Sequence, residues 1–399
     1  MRGPGPVLGV ALLSLYPPVR GQVVVEGERA ASAEALFRSH QGNRGACYVK
    51  WTAPELDFRL RFVLNFRIDF PLGRFTGDQN VLATLLKVTP SGGETSYLAA
   101  TLHSQEPPPE DLKKELFAFG TLLLGEGSYR IQLLFMDTRG HYCTAEHGVR
   151  TPPAPEGKPA LPAGMVSVRA GAPWNAAPRN RGRMSILLHT GAPFWRGLRP
   201  LGRHDNEHDP RFANQYAAGI ANPSANDRAI LLDTVETLLR TSGYSSYRLV
   251  AYSLDLSAEI LRDDHFDRTG LDRIAAAIEN LQLGKVTYEA LKSPQAREEL
   301  LARIVNTELA TVEPGDAVVL LNWATRYERR LPKALLATPR SRGPVVNLQL
   351  WSGWTRGMEF PDVFEHVTEE LGGRTFRLHD PAALASAIGR LRDAAITLR

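Results

Sequence analysis

Residues 184–191 form a short apolar run that ends in a loop, and this run constrains the second half of the chain more than any other stretch. It is too short for a helix, and its composition is typical of a parallel strand covered on both faces. The segments after it alternate between helical and strand patterns. In open α/β sheets ligands bind in the loops that follow such strands, so the loop from His189 to Pro193 is a candidate site.

The first half of the chain has a different pattern. Between residues 57 and 72, apolar residues such as Phe58, Phe62 and Phe66 alternate with polar ones such as Arg61 and Arg67. A period of two predicts a half-buried strand with its aromatic side chains inward and its charges outward. Further strand patterns, separated by turn residues, predict an antiparallel β-sandwich over residues 46–150. The row of arginines is either a binding face or a solvated face, and the pattern favours the solvated face.

The amino terminus resembles an export signal. Residues 1–21 contain Arg2, then an apolar run, then a break at Pro17 and Pro18, which predicts a signal peptide and a periplasmic or extracellular location. The alternative is a disordered terminus with a few apolar residues. The net charge of +4 is spread among interspersed acidic and basic residues, so we predict no nucleic-acid binding. No later run reaches about eighteen apolar residues, so we predict no membrane span.

The chain has two cysteines, Cys47 and Cys143. In an exported protein an even pair predicts a disulfide. The alternative is two separate buried thiols.

The order of patterns predicts the domain organisation. A connecting arm (22–45) precedes the sandwich domain (46–150), a proline-rich linker (151–182) follows it, and an α/β domain (183–399) closes the chain. In the last domain, strands at 247–254, 316–321, 345–350 and 375–378 are separated by helices at 227–240, 271–281, 295–310 and 361–371, with a closing helix at 381–395. A short third strand at 258–261 has no helix before it. This order predicts a doubly wound sheet.

Residues 248–254 with 257–261, and residues 371–378 followed by Asp380, resemble the von Willebrand factor type A family, which has an integrin-I-like fold. That resemblance implies a metal site built from an Asp-x-Ser-x-Ser run, a loop threonine and a later aspartate. The matching positions here are His189, Gly191 and Pro193, with Trp323 at the last one, and only Thr287 could serve as a ligand. The resemblance therefore implies a degenerate metal site and no cofactor. A general Rossmann-like fold remains the alternative.

Two further groups of residues suggest chemistry. His204 and His208, with His189 as a third ligand, are candidates for a transition-metal site. The alternative, which the neighbouring Gly202 and Pro210 favour, is that residues 204–209 form a polar solvated loop. Four tryptophans are candidates for partner binding, namely Trp195, Trp323, Trp351 and Trp354. For Trp323, Trp351 and Trp354 the alternative, which is favoured, is packing in the core or against the linker. The chain has no nucleophile elbow and no phosphate-binding glycine motif.

These features predict an exported, non-enzymatic protein that binds or scaffolds another protein. The predicted contact is made by loops of the von Willebrand A-like domain that lacks its metal ligands, including residues 192–226. The first alternative is a metal-binding protein or metallo-hydrolase that uses His189, His204 and His208. The second is a structural envelope component that associates through its sandwich.

Overall fold

The computed structural model describes residues 22–40, 47–75, 80–103, 111–153, 161–168, 182–191, 193, 225–279, 281, 295–325, 330–336, 343–351 and 361–397. The chain divides into two compact units, Met1–Pro173 and Trp174–Arg399. The first unit contains two sheets and the second contains one.

The described residues of the first unit form strands and two helices. In chain order these are β1 (Val23–Val25), α1 (Glu28–Ser39), β2 (Tyr48–Trp51), β3 (Glu55–Leu56), β4 (Phe62–Pro71), α2 (Leu72–Phe75), β5 (Val81–Pro90), β6 (Ser96–His103), β7 (Glu115–Leu124), β8 (Gly127–Asp137), β9 (Tyr142–Thr151) and β10 (Val166–Ser167).

The strands of the first unit form two antiparallel sheets. The first sheet has the order β1-β6-β5-β8-β9, and the second has the order β10-β7-β4-β2, with β3 also pairing with β4. Side chains from both sheets meet in one core, which includes Phe66 and Ile68 of β4, Leu86 of β5 and Ile131 of β8. The predicted sandwich is therefore present as two facing, sandwich-like sheets.

Strand β4 confirms the period-two pattern from Phe62 onward, but the pattern fails before it. Residues 57–61 form a turn in which the Asp57 carboxylate accepts hydrogen bonds from the backbone N–H groups of Arg59 and Arg61. Leu60 adopts a left-handed φ of 58°. The Arg61 side chain is buried and pairs with Asp57 at 2.7 Å. The predicted solvent-facing position of Arg61 is wrong because the chain has left the strand conformation there.

The outer face of the first sheet is covered by α1. Leu36 of this helix packs with Val25, Ala83 and Leu134 in a second core. Glu34 of the helix accepts hydrogen bonds from Lys87 and Tyr97 of the sheet, each at 2.7 Å, and the bond from Lys87 lowers the pKa of Glu34. The segment predicted as a connecting arm thus supplies β1 and α1.

Cys47 and Cys143 form a disulfide, which confirms the predicted pairing. Cys47 lies directly before β2 in the second sheet, and Cys143 lies on β9 in the first. Cys143 is fully buried in the core between the sheets. The bond therefore joins the two sheets covalently across their shared core.

The described residues of the second unit form one sheet and its helices. The elements are β11 (Arg183–His189), α3 (Ala225–Thr241), β12 (Ser246–Ser253), β13 (Ala258–Asp263), α4 (Arg268–Glu279), α5 (Ala296–Ala310), β14 (Ala317–Trp323), a 3-10 turn (Lys333–Leu335), β15 (Val345–Leu350), α6 (Val363–Glu370), β16 (Arg374–Leu378) and α7 (Pro381–Thr397). The strand order is β13-β12-β11-β14-β15-β16. No helix in the described part of the chain combines the length and the apolarity needed to cross a bilayer.

The predicted fold class, a doubly wound sheet of the von Willebrand A type, is wrong as a description of this protein. Most of its strands lie in the two antiparallel sheets, and the sheet of the second unit is mixed. Strand β13 runs antiparallel to β12 because only a tight turn connects them, with Ser257 at a φ of 50°. A parallel connection would need a crossover of a dozen or more residues.

The central strands of the mixed sheet are buried on both faces. Every residue of β14 is buried, and in β11 only Arg183 is partly exposed. On one face, Leu187 and Leu320 pack against Leu301 and Ile304 of α5 and Phe364 of α6. This burial explains why both segments read as continuous apolar runs in the sequence.

Removing the disulfide should destabilise the first unit. In the chain-entropy description, a cross-link that closes a loop of this length stabilises by roughly 3 to 5 kcal/mol, because it restricts the unfolded chain. We expect Cys47→Ala/Cys143→Ala to lower the free energy of unfolding of this unit by that amount in urea titrations. The matched control is the wild-type protein in reducing agent, whose free energy of unfolding should approach that of the variant. Equal stability of the oxidised wild type and the variant would contradict the prediction.

Candidate binding surface

The described residues of the candidate loop after β11 lie at the carboxyl edge of the mixed sheet, and they are buried. His189 ends β11 and has 1% of its surface exposed. Its Nε2 accepts a hydrogen bond from the Leu254 backbone N–H at 3.2 Å, which leaves the ring proton on Nδ1. Its ring packs against Tyr252 and Phe364. Burial lowers the pKa of His189 to about 4, so the imidazole is neutral.

The loop after β11 closes over this imidazole. A Cβ at Gly191 would lie 2.2 Å from the His189 Cε1, so this position requires glycine. Thr190 donates its backbone N–H to the Tyr252 carbonyl at 2.9 Å, and Pro193 is buried. Within the described ranges, no group of three or more metal-ligating side chains converges at a point. The His189 ring is thus enclosed by Tyr252, Phe364 and the backbone of Gly191.

Two of the four tryptophans named from the sequence are in the described part of the chain, and both are buried. Trp323 ends β14 and is 3% exposed, and Trp351 follows β15 and is 2% exposed. The Trp351 indole N–H donates to the Gln349 Oε1 at 2.5 Å. Neither ring is available to a partner on this surface. Trp195, Trp354, His204, His208 and Thr287 lie outside the described residues.

Asp362 is a buried acid that the sequence reasoning did not single out. It caps α6 by accepting hydrogen bonds from the backbone N–H groups of Phe364 and Glu365. It also accepts hydrogen bonds from the backbone N–H and the hydroxyl of Thr325, after β14. Burial raises the pKa of Asp362 to about 6, although these four hydrogen bonds favour its ionised form. Asp362 therefore fastens the loop after β14 to the start of α6.

Among the described residues, three exposed aromatic residues lie elsewhere, on the outer face of the second sheet of the first unit. Tyr48 is 63% exposed, Phe117 is 53% exposed and Phe119 is 68% exposed. Strand pairing sets Tyr48 opposite Asp69 and Asp69 opposite Phe117. It likewise sets Lys50 opposite Arg67 and Arg67 opposite Phe119. We name this surface the aromatic face, and its residues are Tyr48, Lys50, Arg67, Asp69, Phe117 and Phe119.

The positively charged side chains of Arg67 and Lys50 contact other side chains of the aromatic face. The Arg67 guanidinium lies over the Phe117 ring at 4.5 Å and the Phe119 ring at 5.9 Å. Arg67 and Lys50 both pair with Asp69, at 2.5 and 3.2 Å. Burial acts to raise the pKa of Asp69, but the hydrogen bonds from Arg67 and Lys50 keep it below its usual value. The face thus presents aromatic rings with positive charge around an ionised carboxylate.

The position of these side chains follows from the strands that carry them. In β4 the inward residues fill the core, so Arg67 and Asp69 point outward. In β7, Phe117 and Phe119 have the same outward parity as Thr121, whose hydroxyl bonds to Asn65 on the outer face. The sequence reasoning missed β7. The available signal was the alternation of Phe117, Phe119 and Thr121 after Glu115.

Comparisons with known proteins leave the chain without an assigned family. No family model matches it, and no curated protein matches it. A hypothetical protein from Pyrococcus horikoshii overlaps 28% of this chain and 95% of its own, at 8% identity and a TM-score of 0.20. A superoxide reductase overlaps 28% of this chain and 92% of its own, at 10% identity and a TM-score of 0.20.

A β-glucuronidase from Bacteroides uniformis is similar over 84% of this chain, at 10% identity and a TM-score of 0.15. This chain spans 38% of the length of that enzyme. All three TM-scores are too low to establish a shared fold.

Replacing His189 should change how the stability of the second unit depends on pH. The pKa of His189 is lowered from its ordinary value of 6.5 to about 4 in the fold. At pH values between these two, the His189 side chain binds a proton in the unfolded chain but not in the folded protein. The wild type should therefore lose stability as the pH falls through this window, by about 3 kcal/mol. We expect His189→Gln to remove that loss.

The measurement is the difference in the free energy of unfolding between wild type and His189→Gln, taken at several pH values from 4 to 7. Taking the difference cancels the contribution of Asp362, which is common to both proteins. A difference that does not vary with pH would show that the His189 pKa is not lowered in the fold.

Proposed function

We propose that this protein is an exported, non-enzymatic protein whose aromatic face binds another protein. One observation carries the proposal: Tyr48, Phe117 and Phe119 are more than half exposed on the same face of one sheet. Burying such rings on association removes apolar area from water, which is the main favourable contribution to protein binding. The other sheet of the same unit has a helix over its outer face.

The chemistry of the face suits a protein partner. Aromatic residues and arginine are enriched at protein interfaces, and they supply most of the residues that dominate binding energy. Arg67 holds Phe117 and Phe119 in place through contacts with both rings. A face whose side chains are already ordered loses less conformational entropy when a partner binds.

The disulfide supports the exported location. Disulfides form and persist in oxidising compartments such as the periplasm or the extracellular space, and they are rare in the cytosol. The bond between Cys47 and Cys143 joins both sheets of the unit that carries the aromatic face. An exported protein would therefore present this face on a covalently cross-linked scaffold.

The proposal can be tested with a photoreactive amino acid at position 119, incorporated in cells that export the protein. Because Phe119 is 68% exposed, the probe should form a covalent adduct with a bound protein on irradiation. We expect Tyr48→Ser and Phe117→Ser, added to the probe-bearing chain, to reduce the adduct at least tenfold. Adducts are detected by gel shift and identified by mass spectrometry.

The matched control carries the probe at Leu102, which is 56% exposed on the other sheet. This control should form no specific adduct. Equal labelling from positions 119 and 102, labelling of a glycan instead of a protein, or no adduct at all would contradict the proposed function.

A further inference from the structure

We infer that a cavity between α1 and the first sheet binds a neutral sugar of monosaccharide size. The cavity has a volume of about 350 Å³, which is at the small end of the range of ligand pockets, roughly 300 to 1,000 Å³. The inference goes beyond the proposed function, because this cavity and the aromatic face lie on different sheets of the first unit.

The walls of the cavity come from α1 and from three neighbouring strands. The carboxyl-terminal half of α1 contributes Glu34 and Phe37. The floor is the outer face of β5, β8 and β9, where strand pairing sets Lys87 opposite Gln132 and Gln132 opposite Glu146. All of the lining residues belong to the described part of the chain.

The parity of β8 turns this polar row toward the helix. Ile131 and Leu133 point inward and fill the core between the two sheets. Leu134 points outward and packs with Leu36 of α1. Because side chains alternate along a strand, Gln132 lies on the same outer face as Leu134. The residues that build the two cores thus also place Gln132 in the cavity.

Glu34 is the acidic group on the helix side of the cavity, and its partners are already in place. It accepts hydrogen bonds from Lys87 Nζ and from the Tyr97 hydroxyl, each at 2.7 Å. It also accepts one from Arg38 Nε at 3.4 Å. The bond from Lys87 is the first cause of the lowered pKa of Glu34, so this carboxylate is ionised and paired.

Glu146 is the acidic group on the sheet side, and it is paired in the same way. Both of its carboxylate oxygens accept hydrogen bonds from the Arg130 guanidinium, and Gln132 donates a further one. The bond from Arg130 is the first cause of the lowered pKa of Glu146. Each acidic group of the cavity is therefore balanced by a basic side chain.

This pairing decides the charge of the ligand. A charged ligand group would have to displace one member of an ion pair that is already formed. A hydroxyl can join a pair without breaking it, because a carboxylate has about four acceptor sites and an ammonium has three donors. Glu34 accepts three hydrogen bonds and Lys87 donates one of its N–H groups to it. Hydroxyl hydrogen bonds to such ionised groups are stronger than those between neutral groups.

The arrangement of the polar groups indicates a ring with several hydroxyls. Lys87, Gln132 and Glu146 follow one another across three strands at a spacing of about 4.8 Å, so hydroxyls on one ring can reach neighbouring members of the row. Phe37, which is partly buried in the helix wall, offers an aromatic ring to the C–H face of a sugar. A purely apolar ligand would leave the polar row without hydrogen bonds from water.

The test is saturation-transfer NMR on the full chain, with D-glucose, D-galactose and D-mannose as neutral probes. We expect at least one of them to give a saturable signal, with a Kd on the order of 1 mM for a ligand of this size. D-Glucuronate and glycine are the charged probes. Each should bind at least tenfold more weakly than the best neutral sugar, because its charge must break an ion pair.

Two variants locate the binding in the cavity. Gln132→Trp should fill the cavity and weaken sugar binding at least tenfold, and Gln132→Ala should remove the central polar group and weaken it at least threefold. The matched control is Thr101→Ala, which removes a polar side chain from the same face of the sheet outside the cavity. This control should bind like the wild type.

Circular dichroism and the thermal transition check the folding of each variant, and Gln132→Ala decides the outcome if Gln132→Trp does not fold. The inference is overturned if no neutral sugar gives a saturable signal, if a charged probe binds more tightly, or if the folded variants bind like the wild type. Any of these results leaves the proposed function intact, because that function is tested separately at position 119 on the other sheet.

Discussion

Burial of the inward residues of β4 is the constraint on which the first unit depends. Phe62, Leu64, Phe66, Ile68 and Phe70 fill the core between two sheets. Because side chains alternate along a strand, the same register forces Arg67 and Asp69 outward. The aromatic face is thus the other side of the core-forming strand. A shift of one residue would bury these charges and expose the phenylalanines, so the register that builds the core also builds the proposed interface.

The two outer faces of the sandwich-like unit differ, because a helix packs on one and aromatic rings are exposed on the other. Helix α1 covers the first sheet with Leu36 and satisfies Glu34 through Lys87 and Tyr97. The second sheet instead carries exposed rings that Arg67 holds in place. In the second unit the polar groups at the carboxyl edge of the sheet make structural contacts. Gly191 packs against the His189 ring, and Asp362, which caps α6, accepts a hydrogen bond from Thr325.

Much of the local structure was predictable because it depends on local pattern. The continuous apolar runs of β11 and β15 and the alternation within β4 identified those strands, and the cysteine pair identified the disulfide. The turn at residues 57–61 was not predictable from alternation, because Asp57 captures the backbone N–H groups of Arg59 and Arg61 in place of strand pairing. Strand β7 was missed, and with it Phe117 and Phe119. The sequence left Trp323 and Trp351 between partner contact and core packing, and the tertiary structure buries both.

The sequence by itself determined the change from antiparallel strands to alternating helices and strands and the period of β4, and it favoured a disulfide between Cys47 and Cys143 over two separate thiols. These depend on spacing along the chain. Only the tertiary structure decided that His189 is sealed in a core and that Tyr48, Phe117 and Phe119 are exposed on one face of a sheet. Exposure and strand pairing depend on which segments meet across long separations, and the side-chain pattern of one strand does not contain that information.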